Sequence, residues 1–206
     1  MRRLLITGAS RGLGAIAVQH FRREWDVSTV LDGEFDAVLH CRGGGMGLRD
    51  ALLSTEDMHR LFMLNLGDAV SVNLKVMAGM IQRGAGHICH VCSIASGEAI
   101  GSVGYNTVKA ALAAYVRSLG REMAQHGLVV TGIAPGAFNA AGGAMDRLKT
   151  NSPEAYIEFE QKRLPRGFMG DAKELLPLIE LLLSPQASMM AGTVVPIDAG
   201  EGRYYG

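Results

Sequence analysis

The sequence predicts one α/β domain, doubly wound, with a mainly parallel sheet that carries its ligands at the C-terminal strand ends. Three observations predict it. Short apolar runs of strand length alternate with longer runs of good helix formers along the whole chain. The first apolar run ends in a glycine-rich turn that opens a helix. No repeat, low-complexity stretch or linker divides the 206 residues, a length that suits a single core.

Composition narrows the partners. Apolar residues make up 48% and charged residues 19%, with a formal net charge of zero. A neutral balance gives no electrostatic case for nucleic acid or an anionic membrane, so a small molecule is the expected partner. Met1-Arg2-Arg3 is followed by only three apolar residues before Thr7-Gly8, too few for a signal sequence, and no stretch is expected to span a membrane. Three cysteines suggest a reduced compartment, so the expected location is the cytoplasm.

Residues 3–7 read as the first strand. Gly8-Ala9-Ser10-Arg11-Gly12-Leu13-Gly14 follows as a turn, and residues 15–23 as an amphipathic helix. Strand, glycine turn and helix start together form a phosphate cradle. Glycine lets the backbone approach a pyrophosphate, and the helix start offers N–H groups and a positive dipole end. Residues 36–40 are the next clear strand, ending at His40-Cys41-Arg42-Gly43. Residues 48–62 read as a loop and helix with an N-cap near Ser54, and residues 64–81 as another helix, with Asn65 at its start in a capping position.

Residues 88–91 form a short buried strand. The run His87-Ile88-Cys89-His90-Val91-Cys92 invites a metal site, but strand residues three apart face opposite ways, so Cys89 and Cys92 cannot close on one ion. Glu98 is expected on a loop facing solvent. Residues 105–125 read as a long helix and residues 128–133 as a buried strand closed by Ala134-Pro135-Gly136. Residues 137–143 are small and glycine-rich, a mobile connection into short helices over 144–162. With the turn that follows they form a lid spanning about 137–165, of the kind that excludes water from a site. A helix over 173–183 and a last strand over 192–198 complete the chain.

The chemistry gathers at the strand end Ser93 and the helix start Tyr105-Asn106-Thr107-Val108-Lys109. Residues four apart share a helix face, which sets the Tyr105 phenol beside the Lys109 ammonium. A nearby cation favours the phenolate and makes the phenol a better proton donor and acceptor near neutrality. Ser93 can hydrogen-bond the same substrate oxygen from the strand tip.

The strand-end Ser, the Y-x-x-x-K pair and the opening T-G-x-x-x-G-x-G resemble the short-chain dehydrogenase/reductase family, a Rossmann-like fold whose Ser, Tyr and Lys reduce carbonyls with NAD(P)H. The resemblance implies catalytic roles for Ser93, Tyr105 and Lys109, with Asn65 in a water-mediated proton relay. It implies cofactor contacts from Gly8, Ser10, Arg11, Gly12, Leu13, Gly14 and Gly43, from Tyr105 and Lys109, and from Pro135-Gly136 under the nicotinamide. Asp26, in Asp26-Val27-Ser28, matches an adenine-contacting Asp at the end of the family's third strand. Asn139 stands where the family has a Thr that holds the carboxamide.

The second-strand region of the family is missing, so a sheet shortened on the adenosine side is expected, with an edge near strand one. His40-Cys41-Arg42-Gly43 replaces the usual N-N-A-G, and Arg42 adds a cation that either meets a phosphate or stays solvated. Arg11 beside the glycine turn tilts the cofactor towards NADP, with NAD possible.

The expected function is an NAD(P)-dependent oxidoreductase interconverting a carbonyl and an alcohol. The alternatives are a non-catalytic or regulatory relative with a weakened adenosine pocket, and a dehydratase or epimerase using the same pocket. A homodimer or homotetramer is expected through helices 66–81 and 105–125, with Ala110, Ala113 and Ala114 permitting close approach.

Overall fold

A computed structural model of the chain describes Met1–Arg203. The apolar runs Arg3–Thr7 (β1), Asp26–Ser28 (β2), Ala37–His40 (β3), Gly86–Val91 (β4), Leu128–Pro135 (β5) and Val194–Ile197 (β8) form one sheet in the order β2-β1-β3-β4-β5-β8. Every neighbouring pair is parallel. A separate two-residue ladder pairs Phe138–Asn139 (β6) with Gly170–Asp171 (β7).

Period-two alternation splits the core. Leu4, Ile6, Leu39 and Cys89 face the helices Gly12–Phe21 (α1) and Leu176–Leu182 (α7). Leu5, Val38, Ile88 and Cys92 face Asp68–Arg83 (α3) and Val103–Ala124 (α4). Cys89 and Cys92 therefore lie on opposite faces. Strand order reverses beside β1, with β2 on one side and β3 on the other, and such a switch point opens a crevice at the C-terminal strand ends.

Four expectations change. Strand one is not the edge: β2 pairs with it in the register Arg3↔Asp26, Leu4↔Val27, Leu5↔Ser28, so a three-residue strand caps that side. The α1 helix starts at Gly12 rather than at residue 15. Thr55–Phe62 (α2) does not stop before α3, because a π-turn at Met63–Gly67 joins them. The resulting helix, Thr55–Arg83, has 29 residues and is long and apolar enough to cross a membrane by length and composition only. Here its Leu66, Val76, Met77 and Met80 pack on the sheet. Finally, Ala113 is buried in the core, whereas Ala110 and Ala114 of the same helix are exposed.

The stretch expected to form a lid folds as Ala144–Asn151 (α5) and Pro153–Arg163 (α6) around its own small core of Tyr156, Leu164 and Met169. The segment leading to it is tied down: β6 pairs with β7, and the Ala141 carbonyl accepts the Gly12 N–H at 3.0 Å.

Candidate active site

Ser93 follows β4 with extended backbone and caps the short helix Ile94–Ser96, its Oγ accepting the Ala95 N–H at 3.1 Å. That bond uses a lone pair and leaves the hydroxyl proton to donate. Ser102 caps α4, which places Tyr105 in its first turn and Lys109 one turn on. Lys109 is buried, 3% exposed, and donates to the Val91 carbonyl at the tip of β4 at 2.9 Å. Its Nζ lies 5.7 Å from the centre of the Tyr105 ring. The ring rests between two glycines: a Cβ on Gly101 would come within 2.9 Å of it, and one on Gly45 within 3.7 Å.

Asn65 sits in the π-turn, 1% exposed, and not at a helix start. Its Oδ1 accepts the Gly44 N–H at 3.0 Å; its Nδ2 donates to the Gly44 carbonyl at 3.0 Å and to the Leu61 carbonyl at 2.9 Å. The widened turn aims one residue inward to clamp the loop after β3. A Cβ on Gly43 would lie 2.8 Å from Asn65 Oδ1 and 3.2 Å from Lys109 Nζ, so both groups crowd one point. Ser93, Tyr105, Lys109 and Asn65 are thus drawn around the tips of β3 and β4.

The glycine turn is built by close approach. Gly8 has φ +69°, and a Cβ there would meet the Arg42 backbone at 2.6 Å; one on Gly14 would meet the Gly8 carbonyl at 2.3 Å. Leu13 turns its side chain into the core, which leaves only its backbone for the turn, while Ser10 and Arg11 are exposed. Beside Gly8, a cavity of about 290 Å³ opens between β1, the β2 tip and α3, lined by Thr7, Gly8, Thr29, Arg42, Asp68 and Val72 among others. A tight glycine turn at a helix start, next to a cavity at the switch point, fits a dinucleotide. Gly8, Gly12, Leu13 and Gly14 would hold its pyrophosphate, and the cavity its adenosine.

One expected cofactor contact lies out of reach. Asp26 pairs with Arg3 at the N-terminal end of β1, where its carboxylate accepts from Arg3 Nε at 3.1 Å. It therefore lies at the opposite end of the sheet from Gly8. The stem of Arg11, an exposed residue of the glycine turn, runs beside Gly142: a Cβ there would touch its Cβ at 3.3 Å and Cδ at 3.6 Å. Arg42 is neither simply solvated nor unengaged, because its Nε pairs with Asp68 at 2.9 Å.

On the other side, Pro135 ends β5, and Gly136 fits against a carboxylate, since a Cβ there would lie 2.7 Å from Glu201 Oε2. Asn139 donates to the Tyr156 hydroxyl of the lid at 2.6 Å, and its buried Oδ1 has no partner among the described residues. Glu98 lies on the expected loop, partly exposed, and its carboxylate accepts the Arg203 N–H.

Three features escaped the sequence. Glu201, 7% exposed, accepts the Ala137 N–H at 2.6 Å and the Arg163 Nε at 3.1 Å, joining the C-terminal segment to the lid. Tyr156 orients Asn139. Beneath the cavity, Thr7, His40, Asn73, His90 and Tyr115 form a buried polar chain. Of the histidines in the run His87–Cys92, His90 joins that chain, and His40 meets it from the end of β3.

A family profile described as "Enoyl-(Acyl carrier protein) reductase" matches residues 17–201. The solved structure of an oxidoreductase of the short-chain dehydrogenase/reductase family from Burkholderia thailandensis superposes with a TM-score of 0.88 at 22% identity, covering 97% of this chain and 92% of that one. The chain belongs to the short-chain dehydrogenase/reductase family.

Among family members, the short-chain reductase NovJ of Streptomyces niveus is 27% identical over 201 residues, which span 94% of this chain and 75% of NovJ. Gluconate 5-dehydrogenase of Gluconobacter oxydans is 31% identical over 148 residues, 71% of this chain and 56% of that protein. The chain thus spans little more than half of that relative. A 3-oxoacyl (acyl-carrier-protein) reductase of Agrobacterium tumefaciens, solved with NADP bound, shares the fold at a TM-score of 0.81 and 19% identity, over 97% of this chain and 93% of that one.

Proposed function

We propose that the chain is an NAD(P)-dependent oxidoreductase that interconverts a carbonyl and an alcohol on a small molecule, with NADP the preferred nucleotide. The observation that carries this reading is the convergence of Ser93, Tyr105, Lys109 and Asn65 on the strand tips beside a glycine turn built for close approach. A nicotinamide nucleotide bound there supplies or accepts the hydride.

Tyr105 is the proton donor to the substrate oxygen in reduction and the acceptor in oxidation. Ser93 donates a hydrogen bond to the same oxygen, which polarises the carbonyl and fixes its position. Lys109, buried and anchored on Val91, adds a positive field at the Tyr105 ring. Asn65 clamps Gly44 and thereby keeps the β3 loop close to the Lys109 ammonium. The lid, latched through Glu201, closes over the substrate. A cytoplasmic location and a homodimer or homotetramer through the exposed faces of α3 and α4 belong to the same proposal.

The test is a titration of the purified protein with NADPH and NADH by nicotinamide fluorescence, followed by a carbonyl substrate screen. Tyr105→Phe is expected to bind NADPH like the parent and to lose turnover by 10²–10⁴-fold, roughly the worth of a general acid. Retained turnover would remove Tyr105 from the chemistry. Failure of the folded parent to bind either nucleotide would overturn the oxidoreductase reading in favour of a non-catalytic relative.

A further inference from the structure

Resting on the cofactor reading above, we infer that residues 140–143 form an autoinhibitory strap, which occupies the first amide of the phosphate cradle and must release it before a nucleotide binds. The α1 helix begins at Gly12 without a side-chain cap. Its N-cap, Arg11, makes no capping bond, and its first turn holds no acid. The first N–H groups of a helix need partners from outside it. The Gly12 N–H finds one in the Ala141 carbonyl at 3.0 Å. A carbonyl oxygen and a phosphate oxygen cannot both lie on the line of one N–H. The carbonyl also turns its negative end towards the place an anion would take.

The strap is well fastened to the turn. Ala140 is buried, 7% exposed, in the same core as Leu13. The Gly143 N–H donates to the Ala140 carbonyl at 2.8 Å, closing a tight turn around Gly142 at φ +68°. Both backbone polar groups of Gly142 are tied to α5. Its N–H donates to Asp146 Oδ2 at 2.8 Å, and its carbonyl accepts from Arg147 Nη1 at 2.6 Å. On the other flank the Arg11 stem runs beside it. The contact is nonetheless reversible, because Ala141 itself is exposed. One backbone hydrogen bond shifts an equilibrium by a factor of about three to ten. A pyrophosphate offers the same N–H a charge-assisted bond, roughly twice as strong, so the nucleotide displaces the strap and loses part of its affinity in doing so.

Two measurements on the whole protein test this. The first is amide hydrogen exchange of the parent, free and saturated with NADPH or with inorganic pyrophosphate. Release of the strap should speed exchange at Gly142 and Gly143, whose N–H groups the docked turn holds, by at least about threefold. The second is calorimetry with the same two probes on the Asp146→Ala, Arg147→Ala double variant. It removes both ties to α5 and leaves the net charge as it was. It should bind pyrophosphate and NADPH about three- to tenfold tighter than the parent does.

Unchanged or slower exchange at Gly142 and Gly143 in the bound parent overturns the inference and leaves the cofactor reading standing, because the strap would then clamp the nucleotide. A double variant that binds both probes no tighter than the parent overturns it too. The exchange measurement needs no variant, so it decides even if the double variant fails to fold. If the folded parent and the double variant bind neither probe, the cofactor reading itself falls.

Discussion

The imidazoles of His40 and His90 lie stacked in the core, ring centroids 4.5 Å apart and planes 16° from parallel. His40 Nε2 donates to Asn73 Oδ1 at 2.9 Å, and Asn73 Nδ2 donates to the Tyr115 hydroxyl at 3.1 Å. Burial and the close stacking of the two rings disfavour a charge on either. Burial lowers His40 to about 4 despite the Asn73 bond, which opposes the shift. Burial, then His40 and Lys109 nearby, hold His90 well below the ordinary value.

The sign of the resulting pH dependence follows. The unfolded chain takes up these protons near pH ~6.5, and the folded chain takes up the His40 proton only near 4. Stability is therefore undiminished above pH ~6.5 and falls as pH drops from there to 4, by about 3 kcal/mol for His40 alone. Urea denaturation at pH 7, 5.5 and 4.5 should show that decline, and His40→Asn should flatten it. An unchanged slope in that variant would mean that other groups set the acid limit.

Asn65→Ala removes three hydrogen bonds made by a fully buried amide, two to Gly44 and one to Leu61. Stability should drop by about 2–3 kcal/mol, the usual consequence of orphaned buried polar groups. Turnover should fall with it, because the loop that crowds Lys109 loses its clamp. Denaturation and single-turnover kinetics on the same preparation check both. A variant as stable as the parent would show that the clamp is dispensable.

Glu201→Gln keeps the shape of the side chain and removes the charge that Arg163 faces. The lid should then open more often, which limited proteolysis reads as faster cleavage within residues 144–163, with little change in the melting of the rest of the domain. Equal cleavage rates in parent and variant would place the latch elsewhere, in the Tyr156, Leu164 and Met169 cluster.

The strands and the Ser93, Tyr105, Lys109 set were legible in the sequence because they depend on local pattern. An apolar run such as residues 128–133 has few readings, and a Tyr four residues before a Lys in a helix shares its face. What was not legible depends on neighbours far along the chain. Asp26-Val27-Ser28 reads as a strand end, but nothing within three residues says which strand lies beside it; the pairing with Arg3–Leu5 does. The π-turn has no propensity signature, because it is driven by the fit of Asn65 to Gly44, 21 residues earlier. Glu201 follows the last strand in a polar stretch, and only the folded lid shows that Arg163 comes to meet it.

The π-turn gives the long helix two phases. Ahead of it, Leu61 points at α4, where a Cβ on Gly104 would strike its Cδ1 at 2.6 Å. Beyond it, Val76, Met77 and Met80 point at the sheet. The extra residue acts as a fixed angular offset of about 100°, one step of an α-helix. The length of this segment is therefore quantised. Losing one residue among 63–67 would straighten the helix into a single register and turn every side chain after it by that step, including Asp68 beside Arg42 and Asn73 beside the histidines. One residue at this turn thus sets which way the rest of the helix faces.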